Sequence, residues 1–207
     1  MFMQRTRIAP ALGKGPEVEA LLVERVKAGQ ARGRRVGLSR RIFSSEGSLL
    51  SVILVADDLA GIERIRQENL ADPSFQALAT RLGPLVREAS TIRVLESILT
   101  APRPGTTISQ LASVSPAPGK EAQVSSMLEE YVKAGQAAGV TIALWRRVFS
   151  SDGPMLAVLA RYADPAELDR IRKERASITR ELVVALGELS RTPIQQRLFE
   201  VVVPLPS

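Results

Sequence analysis

The 207-residue chain contains no cysteine and no histidine. Without cysteine, neither a disulfide nor a thiolate metal site can form. Without histidine, the commonest general base and the usual protein ligands of haem and zinc are absent as well. Acidic residues show no clustering at the spacing that a calcium-binding loop requires. The composition therefore predicts a protein with no metal site and no cofactor.

Aromatic residues and long apolar runs are also scarce. One Trp, two Tyr and five Phe give no stacking platform for bases, so we interpret the net charge of +6 as solvated basic faces rather than a nucleic-acid site. The longest apolar run, Leu49 to Ala56, is too short to span a bilayer. Residues 1–12 lack the apolar core of a secretory signal. We expect a cytoplasmic protein with neither nucleic acid nor membrane as a partner.

An internal repeat dominates what the chain does contain. Residues 24–68 match residues 130–174 at 23 of 45 positions without a gap. The chain is therefore two copies of one unit, each close to the usual size of a small domain. Pro102, Pro104 and Gly105 mark the junction between the copies. The predicted units are residues 1–101 and 108–207, with a linker at 102–107.

Hydrophobic spacing predicts the same order of elements in both copies. In the first copy these elements are a strand at residues 4–9, a helix between Pro16 and Gly33, a hairpin at 36–43 and 49–55, a helix opened by Asp57-Asp58, and a last strand at 91–99. Gly29 and Gly135 lie inside the first helix of each copy. Glycine costs about 1 kcal/mol relative to alanine there. Its repetition predicts close backbone approach to a neighbouring element.

The order strand–helix–strand–strand–helix–strand is that of the ferredoxin-like βαββαβ arrangement, an antiparallel sheet with both helices on one face. Both faces of the predicted strands are apolar, unlike those of a sheet with one wet side. Leaving such a face in water would be costly, because each buried large side chain contributes about 1.5–3 kcal/mol. We therefore predict an α+β protein in which two ferredoxin-like repeats pack their sheets together as an intrachain dimeric α+β barrel.

Three sequence features go beyond this general order. Each copy has a Gly-Lys turn before its first helix, and the first copy contains Asp72-Pro73-Ser74-Phe75-Gln76 and then Leu85-Val86-Arg87-Glu88 leading into residues 91–95. With these features each half resembles the NIPSNAP branch of dimeric α+β barrel proteins, over nearly its whole length. Members usually pair two single-unit chains, so this chain looks like such a pair fused. The resemblance implies relatives that include cofactor-independent monooxygenases and haem-degrading enzymes, and the latter depend on a histidine that this sequence lacks.

The Arg40-Arg41 and Arg146-Arg147 pairs are the main site candidates. Strand neighbours point to opposite faces, so one arginine of each pair should face the helices and the other the barrel interior. Interior arginines beside aromatic rings suit a carboxylate or an enolate-like anion. The alternative is that the arginines form ion pairs with Glu96 and Glu200 or lie at the sheet rim. The predicted ligand-binding residues are Arg41, Phe43, Trp145, Arg147, Phe149 and Tyr162.

Other repeated polar residues receive a simpler interpretation. Lys27 and Gln30, with their copies Lys133 and Gln136, are expected to form a solvated helix flank. Trp145 stands where the first copy has Ser39, so the two half-sites cannot be chemically equal.

Two functions remain open from the sequence. The first is a non-catalytic protein that binds a small apolar or anionic molecule in the barrel, or serves as an assembly module. The second is a cofactor-independent monooxygenase or isomerase that positions a small acidic or aromatic substrate, since such chemistry can depend on orientation and desolvation. No catalytic residue is assigned, and exposed outer strands would allow the fused chain to form a homo-oligomer.

Overall fold

The computed structural model describes residues 1–42, 47–100, 105–149 and 153–206. The elements, in chain order, are β1 (Phe2–Ile8), α1 (Gly15–Ala31), β2 (Arg35–Ile42), β3 (Leu50–Ala56), α2 (Leu59–Ala71), α3 (Pro73–Leu82), a 3-10 helix (Gly83–Leu85), β4 (Thr91–Leu99), β5 (Ile108–Val114), α4 (Glu121–Ala137), β6 (Thr141–Val148), β7 (Leu156–Tyr162), α5 (Pro165–Glu174), α6 (Ala176–Leu189) and β8 (Gln195–Val203). Phe43, parts of both predicted hairpin turns, and residues 102–104 of the predicted linker lie outside the described residues.

The chain forms two compact units. Unit 1 contains Met1–Leu95 together with Glu200–Ser207, and unit 2 contains Glu96–Phe199. These units do not coincide with the sequence repeats, because the end of β4 belongs to unit 2 and the end of β8 belongs to unit 1.

The hairpin of unit 1 carries a third strand. β3 pairs antiparallel with β2, from Arg35 opposite Val55 to Arg40 opposite Leu50. Its other edge pairs antiparallel with β1, where Thr6 lies opposite Val52. Unit 2 repeats the arrangement, with β7 between β5 and β6, and Ala112 lies opposite Val158. The two units therefore have the same strand order and the same register.

Each unit packs its helices on one face of its sheet. In unit 1, Leu22 of α1 is fully buried in a core cluster with Leu38 of β2 and Leu50 of β3. Alternate strand positions supply this face because strand side chains alternate in direction. In unit 2 the corresponding face carries Leu144 of β6, and Leu128 of α4 is buried.

Two repeated glycines explain how closely the first helix approaches its strand. A Cβ added to Gly29 would lie 3.0 Å from Val36 Cγ1, and one added to Gly135 would lie 2.9 Å from Ile142 Cγ2. Both distances are shorter than the carbon–carbon separation at van der Waals contact, which is about 3.5–4.0 Å. The predicted close backbone approach is therefore confirmed in both units.

The second helix of each copy is divided in two, which the sequence pattern did not predict. Asp58 begins α2 by accepting a hydrogen bond from the Gly61 backbone N–H at 2.6 Å. Asp72 then ends this helix in an extended conformation and caps α3 through the Ser74 N–H. Pro73 disfavours helical geometry at Asp72, which accounts for the break. In unit 2 the division falls at Arg175.

In the described part of the chain, no helix is long and apolar enough to cross a membrane.

Candidate binding pockets on the helix side of each sheet

Unit 2 encloses a cavity of about 360 Å3 between its sheet and its helices. Its floor is formed by β5 and β7, and α4, α5 and α6 cover it. Most of its wall is apolar. The apolar lining residues include Val114, Leu128, Ile142, Val158, Ala160 and Leu186. Its volume and lining are those of a small-molecule site, which is typically concave and apolar with a few polar groups.

The polar groups of this cavity form hydrogen-bonded pairs. Tyr131 Oη lies 3.1 Å from Thr179 Oγ1, which joins α4 to α6. The guanidinium of Arg175 stacks over the Tyr131 ring at 4.9 Å from its centroid. Tyr162 donates from its hydroxyl to Gln110 Oε1 at 3.3 Å. Three hydroxyls and the Arg175 guanidinium therefore line the cavity.

The Tyr162 hydroxyl keeps its proton at neutral pH and can donate a hydrogen bond. Burial raises the pKa of its hydroxyl to about 12, and the neighbouring Tyr131 adds to the shift. The neutral form persists because a phenolate would lose its hydration in this apolar surrounding. Arg172 and Arg175 act in the opposite direction on the same pKa, and both line the cavity.

Unit 1 encloses an equivalent cavity of about 370 Å3. Its floor again comes from the first and third strands, with Thr6, Val52 and Leu54, and α1, α2 and α3 cover it. Its polar lining is different, because arginines and carboxylates dominate it and no tyrosine is among its lining residues. The charged residues that line it are Glu24, Arg25, Arg32, Arg34, Asp72 and Arg81.

Matched positions of the repeat account for the difference. Tyr131 stands where unit 1 has Arg25, and Arg175 stands where unit 1 has Asn69. Beyond the two-residue insertion in the first copy, Thr179 matches Phe75. Arg25 lies over the Phe75 ring at 4.1 Å, so the same two helix positions meet in both units with different chemistry. The duplicated cavity has therefore diverged.

The arginine pairs follow the predicted alternation. Arg40 donates to Glu19 of α1 at 2.9 Å and to Glu200 at 2.6 Å, and the bond to Glu200 raises the pKa of Arg40. Arg146 donates to Glu96 at 2.6 Å, which likewise raises the pKa of Arg146. The first arginine of each pair thus forms the ion pair that the sequence left as the alternative.

The second arginines lie on the face opposite the helices. Arg41 and Arg147 are half-buried, and the backbone N–H of each donates to the strand across the hairpin, to Leu49 and Met155. Trp145 shares this face with Arg147 and is 4% exposed. Within the described residues its indole Nε1 has no hydrogen-bond partner.

The remaining predicted site residues lie elsewhere. Tyr162 is on the helix face of β7 and lines the unit 2 cavity, so it does not share a face with Trp145 and Arg147. Phe149 is 79% exposed with a φ of 57°, and Phe43 lies outside the described residues. The predicted ligand site around Arg41, Trp145 and Arg147 stays a prediction.

Several pocket residues were not singled out from the sequence. Arg25, Asn69 and Thr179 lie on helices, where a polar side chain is usually solvated, and Arg175 lies between α5 and α6. Phe75 was noted only as part of the segment at residues 72–76. For Arg25 the usable signal was its change to Tyr131 in the second copy, because Glu24 and Val26 on either side of it are identical to Glu130 and Val132.

Solved structures share this fold along almost the whole chain. A candidate monooxygenase from Fusobacterium nucleatum subsp. nucleatum ATCC 25586 matches with a TM-score of 0.79 at 6% identity, covering 100% of this chain and 94% of that chain. A candidate monooxygenase from Lactobacillus acidophilus NCFM gives 0.71 at 10% identity, covering 99% and 95%. A ferredoxin-fold protein related to antibiotic biosynthesis monooxygenases, from Listeria monocytogenes 4b F2365, gives 0.51 at 8% identity, covering 100% and 96%.

No family model matches the chain, and no curated protein matches its sequence. At these low identities the structural likenesses show the fold alone. They confirm the predicted class: α+β, in ferredoxin-like repeats of the kind found in dimeric α+β barrels. Of these three neighbours, two are candidate monooxygenases and one is a ferredoxin-fold protein related to antibiotic biosynthesis monooxygenases.

Proposed function

We propose that the protein binds a small, mainly apolar molecule with a phenolic or enolate-like oxygen in the unit 2 cavity. The observation that carries this proposal is the cavity of about 360 Å3, where Tyr131, Tyr162 and Arg175 converge on apolar walls. Apolar walls supply binding energy of about 25 cal/mol per Å2 of buried apolar surface, and a few polar groups fix orientation.

The polar groups favour an oxygen acceptor. Tyr162 remains protonated at neutral pH, and its hydroxyl is held at 3.3 Å from Gln110, which a ligand oxygen can replace as acceptor. Arg175 and Arg172 provide positive charge at the same cavity. A phenolic or enolate oxygen would gain a charge-assisted hydrogen bond there, which is stronger than a neutral one.

The repeat itself supplies a variant that fills the cavity. Ala160 lines the unit 2 floor where unit 1 has Leu54, so Ala160→Leu introduces a side chain that the same fold already accepts. Calorimetric titration with 1-naphthol, and with naphthalene as the analogue lacking oxygen, tests the proposal. Lys133→Met on the exposed side of α4 is the matched control.

We expect 1-naphthol to bind more tightly than naphthalene, by about tenfold from one added hydrogen bond. Ala160→Leu should abolish this binding, Tyr162→Phe should remove the preference for 1-naphthol, and Lys133→Met should change neither. Equal binding of 1-naphthol to the wild type and to the folded Ala160→Leu variant would refute the assignment of the cavity.

A second candidate function is cofactor-independent oxygenation in the same cavity. Two structural neighbours are candidate monooxygenases, which supports this reading. In such a reaction dioxygen oxidises an activated CH2 group: both C–H bonds break, one oxygen atom forms the new carbonyl, and the other leaves as water with the two hydrogens. Arg175 and Tyr162 would hold the substrate oxygen as its enolate charge develops, and the apolar wall would exclude water.

Incorporation of labelled oxygen from dioxygen into anthrone, which carries such a CH2 group, tests the catalytic reading. The wild-type rate should exceed the rate without protein, and Tyr162→Phe should lower it by about tenfold or more. If anthrone binds but its oxidation is no faster than without protein, the protein binds the molecule and does not catalyse its oxidation.

The finer assignments also remain proposals. Assignment to the NIPSNAP branch is supported by the Gly-Lys turns, in which Gly13 and Gly119 adopt φ values of 75° and 77° that side chains rarely allow. We further propose a cytoplasmic location, no nucleic-acid partner, and self-association of the fused chain into a homo-oligomer. Retention on heparin at physiological salt would contradict the proposal that the protein has no nucleic-acid partner.

A further inference from the structure

Arg25 is a cation of the unit 1 cavity that has no counter-ion among the residues the structure describes. Its guanidinium lines the cavity and lies over the Phe75 ring, 4.1 Å from the ring centroid. Burial, and then the charge of Arg34, lower the pKa of Arg25 to about 10, so the group is charged at neutral pH. Within the parts of the chain that the structure describes, no carboxylate lies within ion-pair distance of Arg25.

The other arginines of this cavity are neutralised. Arg32 pairs with Asp72 at 2.5 Å. Arg34 pairs with Glu68 at 2.8 Å and also donates to Asn69 Oδ1 at 2.6 Å.

Arg81 lies 4.0 Å from Glu24, so both carboxylates that line the cavity, Glu24 and Asp72, are engaged with arginines other than Arg25. A half-buried cation that has no anionic partner among the described residues carries a desolvation cost, and an anion from outside would reduce that cost.

We propose that the unit 1 cavity binds a small organic acid, whose carboxylate accepts hydrogen bonds from Arg25 and whose apolar body lies on Val52 and Leu54. Stacking on Phe75 holds the guanidinium plane and leaves its N–H edge for a forked carboxylate contact. Leu78 and Val36 extend the apolar surface around this edge. The cavity of about 370 Å3 lies within the usual size of ligand pockets.

Binding of an acid in unit 1 does not depend on the function proposed for unit 2, because Tyr131 occupies the matched position there. The two cavities of one chain would accept different ligands, an organic acid in unit 1 and a molecule with a phenolic or enolate-like oxygen in unit 2. Arg25→Tyr therefore replaces the arginine by the residue that the second copy tolerates at the same place.

Calorimetric titration with benzoate tests the proposal, with benzamide as the neutral analogue and inorganic phosphate as an anion without an apolar body. Arg25→Met and Arg25→Tyr remove the proposed contact. Lys27→Met is the matched control, since it lies on the exposed side of the same helix and also lowers the net charge of +6 by one. Tyr131→Phe reports any binding of benzoate in unit 2.

We expect saturable benzoate binding that weakens by about tenfold or more in both Arg25 variants and by less than about twofold in Lys27→Met and Tyr131→Phe. Benzamide and inorganic phosphate should bind at least about tenfold more weakly than benzoate. The proposal is overturned if benzoate fails to bind, if a folded Arg25 variant binds it as the wild type does, or if phosphate binds equally well.

Discussion

Substitution of Gly135 by alanine tests the tight contact between α4 and β6. The new Cβ would lie 2.9 Å from Ile142 Cγ2 and 3.3 Å from Arg175 Nη1. Carbon atoms pack at about 3.5–4.0 Å, so the added methyl group would overlap Ile142 by about 0.6 Å or more. Ile142 is buried and β-branched, which leaves it little freedom to move away.

Two effects on the free energy of unfolding oppose each other at this position. Alanine is favoured over glycine in a helix interior by about 1 kcal/mol. Overpacking of a filled interior costs about 1–3 kcal/mol. Gly187 of α6 is the matched control, because a Cβ added there meets nothing within 4 Å. Gly187→Ala should raise the free energy of unfolding by up to about 1 kcal/mol. The free energy of unfolding of Gly135→Ala should be about 1–3 kcal/mol lower than that of Gly187→Ala.

Urea denaturation followed by far-ultraviolet circular dichroism measures both variants against the wild type. For a chain of this size, 1 kcal/mol corresponds to a change in Tm of about 2–4 °C, so thermal denaturation gives an independent reading. If Gly135→Ala stabilises the protein as much as Gly187→Ala, the packing argument for the repeated glycine is wrong.

Three further predictions concern single side chains. Asp164→Ala removes the cap of α5 and should lower the free energy of unfolding by about 1 kcal/mol in urea denaturation, whereas Asp164→Asn should largely preserve it. The pKa of Tyr162 is raised to about 12, so its buried hydroxyl contributes fully to the free energy of unfolding below pH 10. This contribution is lost as the pH rises through 12. Between pH 8 and pH 11 the free energy of unfolding should therefore fall further in the wild type than in Tyr162→Phe. Equal decreases would contradict the burial of this hydroxyl. Gln136→Met removes donors to the carbonyls of Ile142 and Thr100 and should destabilise by about 1–3 kcal/mol, and a neutral result would show that these carbonyls are satisfied otherwise.

The fold could be predicted because its signals are local and occur twice. The last strand of the first copy was expected at residues 91–99, and β4 is Thr91–Leu99. The helix stops expected at Gly33 and Gly139 are confirmed, since both adopt positive φ where a side chain would be strained. Period and turn chemistry depend on residues close in sequence, so they can be read without coordinates.

The pockets could not be predicted, because they depend on partners far apart in sequence. Arg25 meets Phe75 across 50 residues, and no local pattern at either position indicates the contact. The interpretation of Gln30 and Gln136 as solvated was wrong, because each donates to a backbone carbonyl six residues further along the chain. Gln30 donates to the carbonyls of Val36 and Pro204, so a repeated polar residue on a helix flank has a structural role.

The end of β8 has a consequence for how the protein is made. Glu200 reaches Arg40, and Pro204 reaches Gln30, so unit 1 is completed by residues that the ribosome adds more than 100 positions after Leu95. From Leu95 to Glu200 the chain grows by 105 residues. At about 5–20 residues per second this takes roughly 5–20 s. During that interval Arg40 and Gln30 have not yet met Glu200 and Pro204, so unit 1 gains these two contacts only after the rest of its sheet and helices has been synthesised.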